Sequence, residues 1–109
     1  MFYTYLLHCG DGSLYAGITT DPARRLKEHR GGGKRGARYT RYRAPLTMAA
    51  LWMSESRGTA ASLEARLKKA SHAVKERLAE EPALLGDLIK LPEGAVYTPV
   101  TPPVEQDAP

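Results

Sequence analysis

The sequence has a single cysteine, Cys9, which excludes an internal disulfide framework and gives no sign of an oxidising compartment. It has no Cys-x-x-Cys and no paired-histidine motif, and His8, Cys9 and His72 do not stand at ligand spacing, so no zinc site is expected. Cys9 reads as a small packed residue, not as a nucleophile. No apolar run is long enough to span a bilayer, and no charged stretch followed by an apolar run opens the sequence, so a cytoplasmic protein is expected. Acidic residues are scarce towards the front. Residues 1–45 carry nine Lys/Arg against three Asp/Glu, residues 46–78 six against three, and residues 79–109 one against six, for net charges of +6, +3 and −5. A cationic front suits a phosphate-backbone partner, although a merely soluble basic surface has the same composition. The length of 109 residues suits one domain whose core needs no disulfide or metal staple.

What is present is organised around residues 2–30. Two runs of strand formers, Phe2 to Cys9 and Ser13 to Thr19, flank Gly10-Asp11-Gly12, which is a hairpin signal. Tyr3, Tyr5, Leu7 and Cys9 share one face of the first strand, and Ser13, Tyr15 and Gly17 share one face of the second. Asp21-Pro22 then opens a helix expected to end near His29 or Arg30, before Gly31-Gly32-Gly33. Arg25 and His29, four residues apart, lie on one face of it. A loop with Lys34, Arg35, Arg38, Arg41 and Arg43 follows, interleaved with Tyr39 and Tyr42. Its cations suit phosphates and its aromatic rings suit unpaired bases; the plainer reading is a solvated loop.

Leu46 to Met53 is an apolar run that suits a buried strand, with Trp52 and Met53 in the core. A helix is expected from Thr59, as N-cap, to Ala70, with Ala60, Leu63, Leu67 and Ala70 forming its apolar stripe. Another is expected over Ser71 to Glu80, with Ala73, Val74, Arg77 and Leu78 towards the core. The fold class is α/β: a small three-stranded antiparallel sheet flanked by helices, in the order β-β-α-β-α-α. Residues 1–80 form the domain, residues 81–91 a short helical extension, and residues 92–109 an acidic, proline-rich tail expected to be extended or flexible.

The motif residues resemble the GIY-YIG nuclease superfamily, in its small single-domain bacterial branch. The second half-motif stands as Tyr15-Ala16-Gly17, and the first as Tyr3-Thr4-Tyr5, which keeps only the tyrosine of Gly-Ile-Tyr. Arg25, His29 and Glu64 follow in the family's order, and Gly36 to Arg41, with Arg43 and Pro45 behind, also resembles this branch. The resemblance implies a divalent-metal-dependent DNA endonuclease acting in DNA processing or repair. It implies catalytic roles for Tyr5, Tyr15, Arg25, His29 and Glu64. Glu64 would hold one Mg2+ or Mn2+ ion. Lys34, Arg35, Arg38, Tyr39, Arg41 and Arg43 would meet DNA, through structured or single-stranded features more than base sequence.

Chemically, a guanidinium such as Arg25 neutralises a phosphate through its planar fork of donors. A phenol is a candidate base, and either Tyr5 or Tyr15 fits. His29 suits a proton relay or an orienting hydrogen bond. Gly17 matters sterically, by letting a phosphate or a neighbouring side chain approach the strand. By spacing alone, Glu64 makes an ordinary surface pair with Lys68, four residues on; the family resemblance implies the metal role instead. Two alternatives stand beside the nuclease: a nucleic-acid-binding module that has kept the fold and lost cleavage, which the altered first half-motif favours, and a protein-interaction domain using the tail.

Overall fold

The computed structural model describes residues 1–31 and 46–104. Strand β1 (Phe2–Cys9) is central, paired antiparallel with β2 (Leu14–Thr19) on one side and β3 (Leu46–Ser54) on the other. The β1–β2 turn works as its residues suggest. Gly12 takes a φ of +87°, a conformation that costs glycine little, and the Asp11 carboxylate accepts from both the backbone N–H and the hydroxyl of Ser13.

Helices cover both faces of the sheet. On one face, Tyr5, Leu7 and Cys9 pack with Leu46, Met48 and Leu51 and with Leu26 of α1 (Pro22–Gly31). On the other, Leu6, Ala16, Ala50 and Trp52 pack with Leu63 and Leu67 of α2 (Arg57–Lys69), Leu78 of α3 (His72–Glu80) and Leu85 of α4 (Leu85–Leu88). A register shift in β3 explains how one strand serves both cores. Leu6 opposes Ala50 and Leu7 opposes Met48, so the pairing skips Ala49 and the alternation reverses there. The near-continuous apolar run Leu46–Met53 is therefore that of a strand buried on both faces.

The sheet has four strands where three are expected. Residues Thr98–Pro99 (β4) pair antiparallel with Trp52 and Met53, giving the order β2-β1-β3-β4. Proline is tolerated there because the strand lies at the edge. Val100 N–H donates to the Leu51 carbonyl at 2.9 Å and the Tyr97 hydroxyl to the Thr59 carbonyl at 2.7 Å, fastening the tail segment to β3 and α2.

Helix α2 also begins earlier than expected. Ser56, not Thr59, is its N-cap: the Ser56 hydroxyl accepts from Thr59 N–H at 3.1 Å, and Thr59 lies inside the first turn. In α3 the packed face is Leu78 with partly buried Val74, while Ala73 and Arg77 are exposed.

Candidate active site

The β1–β2 register sets Tyr5 opposite Gly17 and Leu7 opposite Tyr15. Directly opposed residues of an antiparallel pair project from one face, so Tyr5 and Tyr15 are diagonal neighbours there. Glycine at 17 is a steric requirement. A Cβ at this position would overlap the Tyr5 hydroxyl and the ring carbon that carries it.

Helix α1 lays His29 between the two phenols. The imidazole meets both rings edge-on, with centroids 5.8 Å from Tyr5 and 5.7 Å from Tyr15. The start of this helix is fixed by Asp21, whose carboxylate accepts from Arg24 N–H at 3.1 Å while Thr19 Oγ1 accepts from Asp21 N–H. One turn before His29, Arg25 Nε donates to the Tyr5 hydroxyl at 3.2 Å, and Arg25 Nη1 meets Glu28 Oε1 at 3.3 Å. The Tyr5 hydroxyl also lies 2.9 Å from His29 Nε2.

Hydrogen-bond directions follow from which groups can donate. Arg25 Nε–H only donates, so the Tyr5 oxygen accepts it. The phenolic hydrogen of buried Tyr5 then needs an acceptor, and His29 Nε2 is the one in reach; the ring hydrogen is assigned to Nδ1 accordingly. Burial and then the Arg25 charge push the His29 pKa from 6.5 down to about 4, against a smaller upward pull from Glu28. Neutral imidazole is the form this assignment requires. Burial raises the Tyr5 pKa above 10.0, outweighing the hydrogen bond and charge of Arg25, so Tyr5 is a protonated phenol at neutral pH.

These values fix a pH dependence. An unfolded imidazole takes up its proton near 6.5 and the folded one only near 4. Between those values the unfolded state binds more protons, so stability rises with pH across that window. The contribution is complete above about pH 6.5 and is lost as pH falls towards 4; its full size is on the order of 3 kcal/mol. Urea unfolding at pH 7 and pH 4.5 should show this loss in the parent and a clearly smaller one in His29→Gln.

Glu64 projects from the half-buried side of α2. Its carboxylate lies 3.5 Å from the exposed Lys68 ammonium, the i,i+4 pair that spacing alone suggests. Its charge also acts on Tyr5, as the smallest of the upward influences on that phenol. The structure thus brings Tyr5, Tyr15, Arg25 and His29 into direct contact, with Glu64 within electrostatic range. Lys34, Arg35, Arg38, Tyr39, Arg41 and Arg43 lie outside the described residues. Glu28, the carboxylate partner of Arg25, was not anticipated; its i,i+3 spacing from Arg25 was the available signal.

The family model described as the GIY-YIG catalytic domain matches residues 1–77. The chain belongs to the GIY-YIG family. It is 42% identical over 101 residues to a UPF0213 protein of Aeromonas salmonicida, covering 93% of this chain and 70% of that relative. It is 48% identical over 73 residues to a UPF0213 protein of Streptococcus sanguinis, covering 67% and 82%. The solution NMR structure of UPF0213 protein BH0048 from Bacillus halodurans is 43% identical, covering 73% of this chain and 84% of that one, with a TM-score of 0.46. Membership of the GIY-YIG family suggests a nuclease. Among the described residues, no helix is long and apolar enough to cross a membrane.

The departure of this GIY-YIG chain at Tyr3-Thr4-Tyr5 has a structural counterpart. Thr4 is fully buried, and its hydroxyl donates to the Ala60 carbonyl at 3.0 Å. That bond ties the strand carrying Tyr5 to the helix carrying Glu64. The polar residue in the half-motif is a satisfied core contact between the two elements that bear site residues.

Proposed function

We propose that the protein is a divalent-metal-dependent DNA endonuclease that hydrolyses phosphodiester bonds in DNA processing or repair. One observation carries the reading: the Arg25–Tyr5–His29 row, in which a cation, a phenol and a neutral imidazole are hydrogen-bonded beside a second, half-exposed phenol, Tyr15. Arg25 is shared between the Glu28 carboxylate and the buried Tyr5 phenol, and it lines a cleft.

Arg25 neutralises the bound phosphate and stabilises the charge that builds on its oxygens during attack by water. Tyr15 is the phenol within reach of solvent, so it is the one that meets the attacking water; it passes its own hydroxyl proton to solvent and takes the water's in exchange. Tyr5, only 1% exposed, is a positioning residue that holds Arg25 Nε and His29 Nε2 at fixed places. His29 holds Tyr5 in turn and packs against Tyr15. Glu64 offers one hard oxygen ligand, and among the described residues no three His, Cys, Asp or Glu side chains cluster to hold a metal ion. That donor set fits Mg2+ or Mn2+ completed by water and phosphate oxygens, and not a closed protein cage. When bound, the cation would supply Lewis-acid stabilisation of the phosphate.

Incubating the protein with labelled branched, flapped and single-stranded DNA, with Mg2+ or with EDTA, tests the reading. Metal-dependent cleavage that drops in Tyr15→Phe at unchanged thermal stability supports it. Tyr5→Phe should slow cleavage and also lower stability, because buried His29 Nε2 loses its donor. Binding without cleavage on every substrate would leave the reading of a nucleic-acid-binding module.

The basic segment enters as part of the same proposal. Lys34, Arg35, Arg38, Arg41 and Arg43 contact the DNA backbone, with Tyr39 against unpaired bases. Replacing Arg38 and Arg41 by alanine should flatten the slope of log affinity against log salt by about 0.7–0.9 per lost phosphate contact. An unchanged slope would remove the segment from the interface.

A further inference from the structure

Beside Arg25 the structure carries a second group of cations that neither the motif nor the row above uses. A cleft of about 380 Å³ opens between the start of α1, the end of β2 and the start of α2, lined by Ile18, Thr19, Arg24, Arg25, Glu28 and Arg57 among others. Arg24 and Arg57 are both exposed. Their guanidinium groups have no hydrogen-bond or ion-pair partner among the described residues. The lining therefore sets three arginines against one carboxylate, Glu28, which is already paired with Arg25 at 3.3 Å.

Both free arginines stand where local physics disfavours a cation. Each lies in the first turn of its helix, where the dipole opposes positive charge; the Asp21 carboxylate at the cap of α1 offsets this in part for Arg24, whereas α2 has neither an acidic cap nor an acidic residue in its first turn. Two such placements facing one cleft, from helices about thirty residues apart in sequence, conflict with local helix preference in a way that functional sites commonly do. An anionic ligand would relieve both. The cleft shares Arg25 with the candidate active site, so the ligand it fits is continuous with the one held there.

We infer that Arg24 and Arg57 form a second phosphate subsite, which takes a backbone phosphate of the same nucleic-acid strand next to the one on Arg25. This rests on the proposal that Arg25 meets a strand phosphate. The subsite fixes the strand's path across the end of β2, between the two helix starts. Exposed guanidiniums such as these suit backbone contact, which positions a strand without reading its bases.

The test is binding of a fluorescein-labelled oligodeoxythymidine in EDTA, titrated across salt concentrations, so that it does not depend on cleavage. Arg24→Ala with Arg57→Ala together should weaken binding several-fold at low salt and flatten the salt slope by at least about 0.7, the value for one phosphate contact on a single strand. Arg57→Lys should keep most of the slope. Arg77→Ala, an exposed arginine on α3, should leave it unchanged. Matching thermal melts check that these surface variants remain folded. A double variant with the parent's slope overturns the subsite, as does an equal loss in Arg77→Ala or a parent that does not bind the oligonucleotide. A parent that binds, loses slope in the double variant and cuts no DNA overturns the nuclease reading alone.

Discussion

Glu64→Gln should reduce metal-dependent cleavage by about two to three orders of magnitude, which corresponds to about 2.7–4 kcal/mol of transition-state stabilisation. The substitution keeps the side chain's shape and removes the charge. Two nearby carboxylates need to be told apart. Glu28 is committed to Arg25 at 3.3 Å, whereas Glu64, among the described residues, is paired only with an exposed lysine. A solvated i,i+4 pair contributes about 0.3–0.5 kcal/mol, so it holds Glu64 weakly and leaves it available to a cation. Removing the negative charge of Glu64 takes away a repulsion towards phosphate, so metal-free oligonucleotide affinity should stay unchanged or rise slightly. Cleavage and binding therefore separate in this one variant. With a single carboxylate ligand, metal affinity in the absence of DNA should be weak, and calorimetric titration with Mn2+ should show it tightening when an uncleavable DNA is present. If Glu64→Gln cuts as fast as the parent, Glu64 is the surface partner of Lys68 and the metal must be held elsewhere.

Much of the scaffold was legible because its signals are periodic or local. Tyr3, Tyr5, Leu7 and Cys9 do share a face, Asp21-Pro22 does open α1, and Ala60, Leu63 and Leu67 are the buried stripe of α2. The N-cap of α2 was misplaced because Ser56 and Thr59 are both competent caps, and only the bond from Thr59 N–H to the Ser56 hydroxyl decides between them. The fourth strand had no signal. Two residues, one of them proline, carry no alternation, and their pairing depends on Val100 and Tyr97 reaching β3 and α2. The family resemblance named the candidate site residues, but it said nothing of their arrangement. The facing of Tyr5 and Gly17 is a property of register, and the bond from Tyr5 to His29 joins residues 24 apart. Arg24 and Arg57 were invisible as a pair, since only the meeting of two helix starts places them on one cleft.

Gly17→Ala should destabilise the fold by about 2–4 kcal/mol and impair cleavage with it. The glycine's φ is not the reason, since Gly17 is not among the glycines with positive φ. Space is the reason: the new methyl would overlap the Tyr5 hydroxyl and the adjoining ring carbon. A clash with a loose side chain is relieved cheaply, but Tyr5 is only 1% exposed and is bonded to both His29 and Arg25. Swinging the phenol aside breaks both bonds, and prising β2 from β1 breaks the ladder that sets Tyr5 opposite Gly17. Either relaxation also releases Arg25 and His29 from their anchor, so the rate should fall along with stability. For a domain of this size the stability loss corresponds to a fall in melting temperature of about 10–20 °C. A second substitution separates this cause from a general strand effect. In a Tyr5→Ala background the ring is gone and the added methyl has room, so Gly17→Ala should there cost less than about 1 kcal/mol. If Gly17→Ala melts with the parent, or costs the same with and without the Tyr5 ring, then Gly17 is not there to admit the phenol, and the proposed anchoring of Arg25 and His29 by Tyr5 loses its support.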